Sequence, residues 1–257
     1  MEDLDRPRCR DAAAQDILRT LAAYGFTWDG EVLWQSRRQD AYAAALDRLR
    51  AIDRVFACAC SRRELADSQL APDGAAVYPG TCRQGLPKGK HARASRLLVP
   101  TETVSFVDAI QGEVTQYLPT EVGDFVLQRA DGIFAYQLAV VIDDGEQGVT
   151  EVVRGADLLG STPRQILLQR LLEYATPRYA HLPVVVDGRG EKLSKQTRAQ
   201  PVDLDRPNAA ILAALIFLGQ APPPCLGDAK LDELWRWAIA NWRLERVPRC
   251  RSAPVPG

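Results

Sequence analysis

Lysine is scarce in this 257-residue chain, with five residues against 27 arginines, and methionine occurs once, at position 1. No apolar run approaches the ~20 residues that a membrane span requires. The opening Met1-Glu-Asp-Leu-Asp5 is acidic where a secretory signal would be basic and then apolar. Low-complexity tracts and internal repeats are absent, which sets aside fibrous, solenoid and disordered classes. Neither sign of charge dominates: the net charge is -1, so any contact with nucleic acid must come from a local basic patch. Arginine-rich candidates lie at 36–63, 83–96 and 236–251. What remains is the composition of a soluble cytoplasmic globular protein, 46% hydrophobic and 25% charged, long enough to bury a substantial core. In that compartment its six cysteines are expected to be thiols or metal ligands, not disulfides.

Apolar residues at three- and four-residue spacing predict a helix from 11 to 24, stopped by Gly25, and a second from about 40 to 52. Between 58 and 119 glycine, proline and polar residues punctuate short segments, and this stretch reads as an insertion with little continuous periodicity. Strands are predicted at 124–128 and 134–142, joined as a hairpin by Ala130-Asp-Gly132. The β-branched run Thr150-Glu-Val-Val153 then leads to a helix opened by Ser161-Thr-Pro163, with capping hydroxyls and a first-turn proline. The strand-like run 182–186 follows. Strand, helix, strand is a βαβ unit, which implies an α/β fold with a parallel sheet whose working loops lie at the carboxyl ends of its strands. Two further helices, 207–218 and 231–242, flank the rigid spacer Ala221-Pro-Pro-Pro224.

Two of the five lysines, Lys192 and Lys195, fall in one short loop after the run 182–186, Gly190-Glu-Lys-Leu-Ser-Lys-Gln196. Two mobile ammonium groups beside the Ser194 hydroxyl suit a polyphosphate. Cys58-Ala-Cys60 places two thiols two residues apart, and Cys82 returns in a loop-rich region. A structural zinc site usually takes four ligands. Tyr78, His91, Asp67 and Asp73 could each supply the fourth, with His91 first on coordination chemistry alone.

Several segments taken in order carry a resemblance. Glu2-Asp-Leu-Asp-Arg-Pro-Arg8, Trp28-Asp-Gly30 with Trp34-Gln-Ser36, Tyr136-Gln-Leu-Ala139, Val152-Val-Arg-Gly-Ala-Asp157 and Glu191-Lys-Leu-Ser-Lys-Gln196 resemble the glutamate-specific class I aminoacyl-tRNA synthetases. The cysteines with Tyr78, and the early C-terminus, resemble the branch that glutamylates queuosine in tRNA(Asp). The resemblance implies a Rossmann-like parallel sheet, with 1–56 and 121–200 as two parts of a catalytic domain, 57–120 as a zinc-bearing insertion and 201–257 as a small helical region. It implies a monomer that activates L-glutamate with ATP, Mg2+ accompanying the nucleotide. Glutamate would then pass to queuosine at the wobble position of tRNA(Asp).

By the same resemblance Lys195 and Lys192 stabilise the phosphate charge, with Ser194 beside them in the ATP site. Arg154 takes the substrate's side-chain carboxylate, Glu2 its ammonium group, and Tyr136 lines the amino-acid pocket. Cys58, Cys60, Tyr78 and Cys82 hold one structural Zn2+, which moves the fourth ligand from His91 to Tyr78.

Only 61 residues follow Gln196, too few for the large helical anticodon-binding domain expected of a conventional glutamyl-tRNA synthetase. Charging of a tRNA 3′ end by a shortened synthetase, and an inactive zinc-bearing module that binds tRNA, are the alternative readings. The family's other ATP signature, a His-x-Gly-His-like motif after a first strand, is expected ahead of Glu2. The expectation is therefore that the start was assigned too far downstream and that about 40 residues precede Met1, enough for a strand-helix-strand opening.

Overall fold

The computed structural model describes residues 1–5, 9–61, 63–66, 68–71, 74, 76–193 and 201–254. The chain opens with α1 (Asp11–Ala23) and α2 (Gln39–Ala51), as the periodicity predicts. Tyr42, Ala45, Leu46 and Leu49 form the buried stripe of α2. Three strands follow, β1 (Val55–Cys58), β2 (Ala94–Leu97) and β3 (Thr103–Asp108), and then β4 (Gly112–Tyr117) and the single turn α3 (Leu118–Glu121). The segment 58–119 is thus more regular than its punctuated sequence suggests. Alternation is visible in β3, where Val104 and Asp108 are buried between exposed neighbours, but at four to six residues these strands are too short for a strong periodic signal.

β5 (Val126–Gln128) pairs with β2, which pairs antiparallel with β1. The hairpin expected next is real but brief. The Arg129 amide donates to the Ile133 carbonyl at 2.8 Å and the Ala135 amide to the Leu127 carbonyl at 2.8 Å. The predicted strand 134–142 is instead mostly α4 (Tyr136–Glu146). Its β-branched residues suggest a strand, yet Leu138, Ala139, Val141, Ile142 and Asp143 are all buried. Alternation would have exposed half of them; three- and four-residue spacing buries them together.

The βαβ unit is present: β6 (Glu151–Gly155), α5 (Thr162–Leu171) and β7 (Arg178–Leu182), with β6 and β7 parallel in the register Arg154↔His181. The predicted capping hydroxyls do not cap. A 3-10 turn at Ala156–Ser161 runs straight into α5, Ser161 makes no cap bond, and its hydroxyl accepts from Gln137 at 3.0 Å instead.

The run 182–186 straddles two sheets. Leu182 ends β7, Pro183 has no N–H to offer a ladder, and β8 (Val184–Val186) pairs with β9 (Ser252–Pro254) near the end of the chain. The main sheet has the order β4-β3-β7-β6. It is mixed, not purely parallel as expected, because β3 pairs antiparallel with β4 while β3–β7 and β6–β7 are parallel. α5 is buried along nearly its whole length against this sheet and α4.

The C-terminal helices α6 (Pro207–Phe217) and α7 (Leu231–Asn241) lie where predicted, while Pro224 opens a 3-10 turn. They make a second core with Tyr24 through Ile211, Leu215, Leu234 and Ala238. Trp235 Nε1 donates to the Tyr24 carbonyl at 2.7 Å, so the end of α1 is anchored to this region. Among the described residues no helix is long and apolar enough to cross a membrane.

Candidate active site

The parallel register of β6 and β7 places Arg154 beside His181, and side chains in register share a face of the sheet. Arg154 Nε donates to His181 Nε2 at 3.0 Å. Arg154 Nη2 donates to Thr162 Oγ1 at 2.9 Å and Gln165 Oε1 at 2.7 Å, both on the first turns of α5. The guanidinium lies 5.5 Å from the centre of the Tyr179 ring, two residues before His181 on the same face.

His181 is completely buried and its Nδ1 meets Asp108 Oδ2 at 2.6 Å. Asp108, at the end of β3, also accepts from the amides of Ile110, Gln111 and His181. Burial alone would raise the Asp108 carboxyl, but these donors outweigh it and hold it below the ordinary range. Burial pushes the His181 imidazole down, and the Arg154 charge adds to that against the pull of Asp108. Arginine is always a donor, so Nε2 must accept and the proton of a neutral imidazole sits on Nδ1.

Glu2 is positioned by an extended segment that docks beside residues 33–36. The Gln35 amide donates to the Met1 carbonyl at 3.1 Å, and the Ser36 amide and hydroxyl donate to Asp3 at 2.8 and 2.6 Å. Arg129 Nη1 reaches Asp5 at 2.8 Å. Tyr136 and Asp144 come from the two ends of α4, eight residues apart and thus on nearby faces. Glu2 and Tyr136 line one cleft of about 920 Å³, and Glu2 and Asp144 line a neighbouring one of about 430 Å³.

Arg154 lines neither of these clefts, yet its charge is felt by all three groups. Loss of hydration raises Glu2, Tyr136 and Asp144, the last to about 6, while Arg154 pulls each of them down. Glu2 is exposed as a residue, so its shift reflects crowding on one side and not enclosure. The arrangement is an arginine acting on two carboxylates and a phenol, a set of charges suited to a zwitterionic ligand.

Lys192 forms an ion pair with Asp157, three residues beyond Arg154. A Cβ on Gly155 would come within 2.4 Å of Asp157 Oδ1, so the glycine leaves the carboxylate room beside the strand. Lys192 follows β8 and is tied by this pair to the turn Ala156–Ser161 that succeeds β6. Lys195 and Ser194 lie outside the described residues.

The three cysteines converge. The sulfurs of Cys58, Cys60 and Cys82 all lie within 4.8 Å of one another. Cys60 and Cys82 are 3.8 Å apart, and Tyr78 Oη stands 3.5 Å from Cys58 and 3.6 Å from Cys60. Tetrahedral zinc with sulfur at ~2.3 Å and oxygen at ~2.1 Å has S···S edges of about 3.8 Å and S···O edges of about 3.6 Å. The donor set fits that metal.

The Cys82 amide donates to Tyr78 Oη at 2.8 Å, and Arg96 stacks 4.2 Å above the ring. Burial would raise the Cys58 thiol, but the facing Tyr78 hydroxyl and Arg96 bring it below its ordinary value. Burial and the thiols push the Tyr78 hydroxyl up. His91 is exposed and does not join the cluster, whereas Asp67 and Asp73 lie outside the described residues.

Sequence reasoning missed Asp108, His181, Gln165 and Asp144. A signal was present for some of them: His181 is one of two histidines, and Thr162, Gln165 and Gln169 put a polar stripe at three- and four-residue spacing along α5.

The family profile for the catalytic domain of class I tRNA synthetases (E and Q) matches residues 1–224. A glutamyl-Q tRNA(Asp) synthetase of Aromatoleum aromaticum is 60% identical over 257 residues, covering all of this chain and 81% of that protein. A relative of the same name from Pseudomonas aeruginosa is 49% identical, covering 99% of this chain and 84% of that protein. Among solved structures, a glutamate tRNA ligase from Elizabethkingia meningosepticum in complex with its amino acid aligns with a TM-score of 0.75 at 22% identity. That alignment spans all of this chain and 59% of the other, a similarity of fold.

Proposed function

The chain belongs to the glutamyl-Q tRNA(Asp) synthetase family of class I tRNA synthetases, and on that premise we propose that it activates L-glutamate with ATP and transfers it to queuosine in tRNA(Asp). The observation that carries the reading is the half-buried Arg154, whose charge acts on Glu2, Tyr136 and Asp144. A guanidinium matches the side-chain carboxylate of glutamate, and an acidic rim receives its ammonium group. That leaves the α-carboxylate to attack the α-phosphate of ATP, forming the glutamyl adenylate and releasing pyrophosphate.

Glu2 takes the ammonium group, Tyr136 closes the amino-acid pocket, and Lys192 and Lys195 with Ser194 face the nucleotide, which arrives with Mg2+. The Lys192–Asp157 pair supports this, because it holds Lys192 to the turn that directly follows the strand carrying Arg154. Negative charge grows on the phosphate oxygens during attack, and fixed ammonium groups stabilise it electrostatically. Cys58, Cys60, Cys82 and Tyr78 would hold one zinc ion whose part is structural, pinning the loop that carries Cys82 to β1. Residues 57–120 form the zinc-bearing region and 201–257 the C-terminal helical region.

Glutamate-dependent exchange of pyrophosphate into ATP by the native protein tests activation. Exchange is expected with glutamate and not with glutamine, whose neutral amide leaves Arg154 without a counter-charge. Equal exchange with both would overturn the assignment of Arg154.

A further inference from the structure

Arg154 is held from behind by a chain of buried groups that the reaction itself does not use. Its Nε and both Nη2 hydrogens are committed to His181, Thr162 and Gln165. Nη1 has no partner among the described residues. We propose that Asp108 and His181 are positioning residues for Arg154: Asp108 fixes the proton of His181 on Nδ1, Nε2 accepts from Arg154 Nε, and the guanidinium is thereby held with its Nη1 edge toward the substrate carboxylate. This rests on Arg154 being the carboxylate receptor proposed above.

The geometry gives each member a task. Asp108 accepts three backbone amides besides His181 Nδ1, so its carboxylate cannot turn away. His181 sits on the strand in register with Arg154, and its ring is stacked 6.0 Å from that of Tyr179. The opposite tautomer would set two N–H groups against each other at 3.0 Å.

Protonation of the ring would put an imidazolium against a guanidinium, a conflict that Asp108 relieves only in part. The charged and titratable groups facing the ring are Asp108 from β3, Arg154 from β6, Asp157 from the turn that follows it and Tyr179 from β7 itself, with the polar Thr162 from α5. Burial and Arg154 hold His181 below its ordinary pKa, so it remains a neutral acceptor at neutral pH. A side chain pinned in advance loses less conformational entropy when the ligand arrives.

The chain has two histidines, and His91 is exposed, so the imidazole nitrogens of His181 can be followed by ¹⁵N NMR in the wild-type protein. At pH 7 a neutral ring protonated on Nδ1 is expected. A ring protonated on Nε2, or an imidazolium, would overturn the proposal whether or not any variant folds.

Glutamate and ATP affinities of Asp108→Asn, measured by calorimetry, supply the functional arm. The asparagine amide donates to Nδ1 and drives the proton to Nε2. Glutamate should bind about ten- to a hundredfold more weakly, as for loss of a hydrogen bond to a charged group, with ATP affinity unchanged. If Arg154→Ala leaves glutamate binding intact, the receptor reading fails. If Arg154→Ala abolishes binding while Asp108→Asn does not alter it, the positioning proposal fails alone.

Discussion

Asp144 carries the most strained charge in the candidate site. Its carboxyl is pushed up to about 6, chiefly by burial and also by Asp143 and Glu2, with Arg154 opposing. A carboxyl whose folded pKa exceeds its unfolded value of 3.8 is favoured by protonation in the native state, so it costs stability as pH rises from about 4 through about 6 and the cost is complete above that. Asp144→Asn should therefore raise the unfolding midpoint at pH 7.5, and the gain should vanish below pH ~4. Thermal melts at both pH values check this, and an asparagine variant no more stable than wild type at pH 7.5 would contradict it. Asp108 presents the opposite case, lowered by the amides that surround it. The two carboxylates show why Asp144 was not recognisable as a candidate: its character comes from burial first and then from Arg154, Asp143 and Glu2, and both the burial and the approach of Arg154 and Glu2 arise only on folding.

At the scale of elements, one buried carboxylate ties three segments together. Asp143 on α4 accepts from Gln35 Nε2 at 2.8 Å, from Arg38 Nε at 2.8 Å and from Tyr42 Oη at 3.0 Å. Those donors lie on the turn before α2 and on α2 itself. Removing the shared acceptor leaves Gln35 and Tyr42 without this partner and Arg38 with Glu146 alone, so Asp143→Ala should destabilise the fold by about 3 kcal/mol. Urea denaturation measures it, and a loss under about 1 kcal/mol would mean that the pair behaves as a surface ion pair.

The Cys82 loop is tied down in a similar way by Arg83, which grips Asp124 with an Nη2 contact of 2.8 Å, while Asp124 also accepts the Val99 amide at 2.9 Å. The protein should carry about one zinc ion per chain by elemental analysis. Cys82→Ser should lower that occupancy, and Tyr78→Phe should weaken retention against a chelator. Full retention by Tyr78→Phe would remove the tyrosine from the ligand set.

These elements also mark how far the sequence could be read. Long amphipathic helices such as α1, α2 and α7 announce themselves, because their apolar spacing and stops are local. The helix α4 did not, since its valines and isoleucine carry strand propensity while burial against α2 and α5 decides the outcome.

For the whole molecule, the chain closes on itself at two places far apart in sequence. Tyr24 joins α1 to the C-terminal helices, and β9 returns to pair with β8, which precedes the loop holding Lys192. The C-terminal segment is thereby braced against β7 and β8: Gln111 Nε2 donates to the carbonyls of both His181 and Cys250, at 2.8 and 3.0 Å. None of these closures was visible in the sequence, because parallel pairing at a separation of nearly 70 residues leaves no local trace. The candidates carried by motifs, Glu2, Tyr136 and Arg154, could be named from the sequence. Asp108 and His181, which the fold alone brings to Arg154, were not.

The central claim is the destination of the glutamate. Native protein incubated with ATP, labelled glutamate and tRNA(Asp) carrying queuosine, followed by nuclease cleavage, places the label on one fragment or another. The account predicts label on the anticodon fragment, and none with tRNA(Asp) that lacks queuosine. Label on the 3′ terminal adenosine would contradict it.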